Sequence, residues 1–135
     1  MPADEDLVDY LDTNSALVTE GTNLFAGPMP EDPDVCIAVT HYGSQGSDAY
    51  VMGASLTAPG YEVEEVQLMV RHTSRATGRS TANTLHALLA NLHSTTINAR
   101  SYFAVEDQGP PFTIGQDQNG RWRFVSNYTV KKVRG

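Results

Sequence analysis

Apolar positions at Leu7, Val8 and Leu11 recur at helical spacing, which predicts a helix over residues 4–11. Asp4, Glu5 and Asp6 at its start suit the positive end of a helix dipole. The segment "GTNLFAGPMPEDPD" (21–34) is rich in turn formers and predicts only a short extended piece around Leu24 to Ala26. "VCIAVTHY" (35–42) begins apolar on both phases, the pattern of a central strand. Residues 43–60 are Gly- and Ser-rich and weakly patterned, and predict a long flexible loop.

In "YEVEEVQLMVRHT" (61–73), Val66, Leu68 and Val70 alternate with Gln67, Met69 and Arg71, as in a half-buried strand. Val63 sits on the opposite phase, which predicts a bulge or bend before Glu64 and Glu65. Leu85, Leu88, Leu89 and Leu92 predict the best helix of the chain over 74–93, capped by Thr73 or Ser74, with Gly78 weakening its first turns. Further strands are expected in "RSYFAVED" (100–107), "PFTIG" (111–115) and "RWRFVSNYTVKKVR" (121–134), the last two joined by the turn "QDQNG". Asn119 and Gly120 both tolerate positive φ and mark the reversal. On the last strand Trp122, Phe124, Tyr128 and Val130 share one phase, while Arg121, Arg123, Asn127, Thr129 and Lys131 share the other. That pattern predicts an aromatic face toward the core and a basic face outward. The whole reads as one α+β domain over 1–135, a small antiparallel or mixed sheet flanked by two helices in the order α-β-β-α-β-β.

Charge changes the picture more than composition does. Residues 1–34 hold nine acidic side chains and no Lys or Arg, whereas all nine Lys and Arg lie at or beyond Arg71. Such segregation implies complementary packing of the two ends within the fold, or head-to-tail association between copies that closes into a ring. The apolar runs fall short of a membrane span and no leader pattern is visible, so no membrane partner is expected. The one cysteine, Cys36, sits in "VCIAV" without an activating cation nearby in sequence, and reads as a buried structural thiol of a protein made in a reducing compartment.

Enzyme chemistry finds little support, and neither a cofactor nor a metal is expected. "ATGRST" (76–81) lacks the first glycine and the lysine of a phosphate loop. His41, His72, His86 and His93 do not form a ligand pattern; they are expected at the surface or partly buried. Glu62, Glu64 and Glu65 are expected on a solvated strand edge rather than as an acid–base pair. The basic, aromatic C-terminal segment superficially suits single-stranded nucleic acid, but its aromatics fall on the core phase and the net charge is −7. The "NYT" triplet at 127–129 is read as a coincidental match to a glycosylation acceptor.

Several short motifs in one order carry a resemblance. Gly27, Pro28, Pro33 and Asp34 precede the first long strand; Val66, Leu68 and Arg71 lie on the next; Gly115, Asp117, Gly120, Arg121 and Asn127 mark the final hairpin. Over nearly its whole length the chain resembles the tail terminator proteins of long-tailed bacteriophages, often labelled phage minor capsid proteins. Gln116 and Gln118 depart from the charged residues expected there in relatives. The resemblance implies a structural, non-catalytic virion protein assembled in the host cytoplasm. It implies a homo-oligomer, a hexameric ring at the head-proximal end of the tail tube, that stops tube growth and joins the head. Its partners would be the tail tube protein and head-completion or neck connector proteins, with DNA only as genome passing through the lumen. Asp4, Glu5, Asp6, Arg71, Arg75, Arg79, Arg121, Arg123 and Lys131 are the expected subunit or tube interface. The alternatives are another neck protein, such as a stopper, or a small-molecule-binding α+β oligomer.

Overall fold

In the computed structural model, which describes residues 3–44, 61–90 and 92–133, the longest ladder joins two segments far apart in sequence. The elements run α1 (Ala3–Asn14), β1 (Leu24–Ala26), β2 (Cys36–Ser44), β3 (Tyr61–His72), α2 (Arg75–Ala90), β4 (His93–Ile97), β5 (Arg100–Asp107), β6 (Phe112–Gln116) and β7 (Trp122–Val133). They form an α+β domain around one mixed sheet in the order β1-β2-β3-β7-β5-β4, with β6 also paired to β7. β1 lies parallel to β2 and every other pairing is antiparallel. β3 pairs with β7 along its whole length, from Tyr61 opposite Val133 to His72 opposite Trp122. The other edge of β7 is divided: Trp122 to Val125 pair with β6, and Tyr128 to Lys132 with β5. Most of the expected flexible loop at 43–60 lies outside the described residues; Gly43 and Ser44 extend β2.

The order contains three strands more than α-β-β-α-β-β: one before β2, and four rather than two after α2. β1 is the short extended piece, stitched into the sheet by pairing with Ile37 to Val39. β4 replaces the last turn of the expected helix: α2 ends at Ala90, and His93 already belongs to a strand. The β-branched run Thr95, Thr96 and Ile97 favours extended backbone there. Asn98 and Ala99 both take positive φ (51° and 64°) between the paired residues Ile97 and Arg100, the two-residue turn that matches strand twist.

Both helices pack on one face of the sheet. α1 buries Ala3, Leu7, Val8 and Leu11, and α2 buries Gly78, Ala82, Leu85 and Leu89, each set at helical spacing. Against them the sheet presents Ile37, Val39, Val66, Leu68, Val70, Phe124, Tyr128 and Val130. The opposite face, with Gln67, Met69, Asn127 and Thr129 half-buried, carries no helix among the described residues.

Three ladders contain an extra residue. The shifts fall between His41 and Gly43, between Tyr102 and Ala104, and between Thr113 and Gly115, so Tyr42, Phe103 and Ile114 sit on bulges. The irregularity expected on β3 at Val63 therefore lies on its neighbour β2, while the pairing of β3 with β7 is unbroken. All three bulged side chains are large, apolar and at least 41% exposed. A bulge re-aims one side chain out of the pleat, and here each one delivers a hydrophobe to the surface.

Gly78 lets α2 approach the sheet. A Cβ there would stand 2.8 Å from the Phe124 ring and 2.9 Å from the His72 Cβ, closer than real contacts allow. Alanine gains about 1 kcal/mol of helix propensity over glycine, while overpacking a core costs about 1–3 kcal/mol. Gly78→Ala is therefore expected to lower stability in urea denaturation, by a net of up to about 2 kcal/mol. A stabilised variant would mean that the helix lifts away without loss of packing.

Candidate functional site

The densest polar cluster joins the 30–34 loop to the final hairpin. Arg121 is 5% exposed. Its guanidinium donates to the Glu31 carboxylate (2.7 Å), the Glu31 carbonyl (2.7 Å), the Asp117 carboxylate (2.8 Å) and the Asp34 carboxylate (3.4 Å). Beside it Arg71, also 5% exposed, donates to the carbonyls of Pro30 (2.8 Å), Glu31 (3.0 Å), Pro33 (2.6 Å) and Asp34 (3.3 Å). Two planar forks thus hold an irregular loop that has no ladder of its own, with the Asp32–Pro33 peptide bond cis.

The hairpin end of this clasp is built by Asp117. Its carboxylate accepts from the backbone N–H of Asn119 (2.9 Å) and Arg121 (3.0 Å), and its carbonyl accepts from Gly120 N–H (3.1 Å). Of the two expected positive-φ residues only Gly120 adopts one (75°). Gln116 adds a hydrogen bond from its side chain to the Gly120 carbonyl, a neutral brace to the turn (3.0 Å). Burial opposes ionisation of Asp117, but the two N–H donors and the Arg121 guanidinium outweigh it and hold the carboxyl below its ordinary value.

Three further polar groups lie under the helices. Asp6 is fully buried on α1, accepts from the Tyr102 hydroxyl and Asn98 (3.0 Å), and pairs with Arg100 (3.3 Å). Burial first, then the Asp6 contact, pushes the Tyr102 hydroxyl above the ordinary tyrosine range. Glu64 forms a 2.7 Å ion pair with Lys132 and a 3.3 Å contact with His41. The expectation of a solvated edge thus fails for Glu64, which is 8% exposed because its phase on β3 turns it beneath α1. Near α2, His86 Nδ1 lies 2.6 Å from the Tyr128 hydroxyl and Nε2 3.5 Å from Asp107, while Ser126 lies 2.9 Å from the same hydroxyl. Ser126 and Tyr128 are buried, so these contacts tie α2 to the sheet. Burial raises the Cys36 thiol, against the opposing fields of Arg71 and Arg121, consistent with an unreactive core thiol. Among the described residues no three His, Cys, Asp or Glu side chains converge as a metal site, and no helix is long and apolar enough to cross a membrane.

The nine interface positions predicted from charge therefore divide. Asp6, Arg71 and Arg121 are buried and engaged within the subunit, which corrects the expectation that the basic phase of the last strand faces outward throughout. Arg121 turns inward because it meets three carboxylates; Lys132, on the aromatic phase, turns inward to Glu64. Glu5, Arg75 and Arg79 are exposed, and Asp4, Arg123 and Lys131 are half-buried. Arg75 covers the Trp122 ring at 5.2 Å, and Lys131 pairs with Glu106 at 3.2 Å. Sequence reasoning missed Tyr42, Phe103 and Ile114, because a bulge breaks the period that would have assigned them a face.

Buried polar clusters thus tie the elements together, and bulges set Tyr42, Phe103 and Ile114 on the surface. A family model described as bacteriophage tail terminator protein matches residues 6–134, and the chain belongs to that family. Its members are structural phage proteins rather than enzymes, and this chain is a virion structural protein. Among solved structures, a chain from the virion of a native gene transfer agent particle is similar in fold. It is 11% identical, with a TM-score of 0.58 over 84% of this chain and 81% of that one. No curated protein matches in sequence.

Asp117→Asn is expected to weaken the clasp, seen as a lower Tm and faster amide exchange over residues 28–34 at neutral pH. The carboxyl is held below the ordinary value of 3.8, so its stabilisation is complete above that pH and disappears as pH falls through the lower folded-state value. The Tm gap between wild type and variant should close in strong acid. A gap independent of pH would assign the loss to turn geometry alone.

Proposed function

We propose that this chain acts as a ring, six copies in number, at the head-proximal end of the tail tube. There it stops addition of tube subunits and offers the surface to which the filled head docks. Its neighbours are further copies of itself, the tube protein on one side and head-completion or connector proteins on the other, with the genome passing through the lumen. The family match over residues 6–134 carries this reading.

Magnitudes indicate how such a ring would hold. Exposed ion pairs contribute only about 0.2–1 kcal/mol each, whereas burying a large apolar side chain contributes about 1.5–3 kcal/mol. Tyr42, Phe103, Phe112 and Ile114, all substantially exposed, are therefore the contacts expected to supply affinity. Asp4, Glu5, Arg75, Arg79, Arg123 and Lys131 would set orientation and partner choice. Asp6 and Arg121 would contribute through the shape they hold, and Arg71 through both the loop it holds and the cleft it lines.

Inactivating the gene and imaging the assembled particles tests the role. Overlong tails beside separate DNA-filled heads are the expected result. Normal-length tails beside undocked or leaking heads would move the protein to the head side of the neck. Intact infectious particles would defeat a structural role.

A further inference from the structure

The face of the sheet opposite the helices contains a cleft of about 250 Å³ beside the clasp, lined by the carboxylates of Glu31 and Asp117 as well as by Arg71, Arg121 and Arg123. The pairing among these charges is uneven. Arg71 and Arg123 stand directly opposite each other across β3 and β7. Like charges so placed repel unless an anion is shared between them. Arg71 is satisfied by carbonyls, which are neutral, and the nearby carboxylates of Glu31, Asp34 and Asp117 all bind Arg121. Arg123 makes one long hydrogen bond, 3.4 Å to the Gln116 carbonyl. Its Nε is buried and has no hydrogen-bond partner among the described residues, so an incoming carboxylate meets the Nη end of the half-buried guanidinium, and the adjacent Nε–H reports the contact.

The complementary imbalance lies on the other side of the molecule. Glu5, Asp12 and Glu20 are exposed on or next to α1, with Asp9 close by. Glu20 is hydrogen-bonded to Asp9, and that contact, with burial and the negative field of Asp9, Asp12 and Glu5, raises its carboxyl above the ordinary value. Arg100 pairs with Asp6 and Asn98 donates to Asp9, while the first 34 residues supply no Lys or Arg of their own. α1 packs on the helix-bearing face, so a chain cannot place this cluster in its own cleft. A second copy can.

We propose that the Arg71–Arg123 cleft is a carboxylate-binding site that receives an acidic side chain from the α1 region of a second copy of this chain. The contact joins unlike surfaces, so repetition leads around a ring or along a filament rather than to a two-fold dimer. The inference rests on the assembly role proposed above and names one of its contacts.

The test is an NMR titration of the full chain, observing the arginine Nε–H resonances from micromolar to millimolar protein. The Arg123 Nε–H signal is expected to move as concentration rises. The movement should be lost in the combined variant Glu5→Gln, Asp12→Asn, Glu20→Gln, whose changes are isosteric and lie at the surface. No movement in the wild type, or movement that persists in the variant, would overturn the proposal. So would a larger response to a short DNA oligonucleotide, which would assign the cleft to phosphate. Complementation of the inactivated gene separates the two readings. A triple variant that still yields normal tails, with no concentration-dependent shift in the wild type, would remove this contact and leave the terminator role intact.

Discussion

The strand β7 must satisfy backbone groups along both edges while burying one face beneath α2, and most of the fold answers that requirement. One edge takes β3 without interruption; the other takes β6 and then β5, because no single segment is long enough to cover it. The bulges in β5 and β6 fall on this divided edge, where two shorter strands adjust to one long twisted partner. The aromatic phase of β7 fills the core with Phe124 and Tyr128, and Gly78 on α2 is small because Phe124 lies beneath it.

What was legible in the sequence was whatever repeats with a period. The stripes Leu7–Leu11 and Leu85–Leu89, the alternation Val66–Leu68–Val70 and the reversal at Asn119–Gly120 gave both helices, β3 and the final hairpin close to their observed places. β4 was hidden because Leu92 continues the helical stripe for one step, although it is buried after the helix has ended. The pairing of β3 with β7 rather than with its sequence neighbours is not encoded in any local pattern; it follows from which faces must share a core.

Charge was the least legible level. Sign and position along the chain were plain, yet whether a charged residue points outward depends on partners brought from elsewhere. Arg121 and Arg123 are two residues apart on one phase, and only Arg121 finds three carboxylates. The segregation of acids and bases therefore serves the interior at Arg121–Glu31, Arg100–Asp6 and Lys132–Glu64, the last joining a mid-chain acid to a late base. Six of the twelve residues that carried the resemblance, Pro33, Asp34, Arg71, Asp117, Gly120 and Arg121, converge in one place. They hold an irregular loop whose geometry no hydrophobic pattern could specify.

The separation between β3 and β7 also bears on how the protein is born. As the chain leaves the ribosome, α1, β1, β2, β3 and α2 emerge with the apolar Val66–Val70 stripe flanked on one side only. The central edge of β3 stays open until the last strand appears, so closure of the core is a late, long-range event that no early element can complete. Without β7, one edge of β3 lacks the partner it has in the folded protein, and an unpaired edge of that kind is a template for other strands.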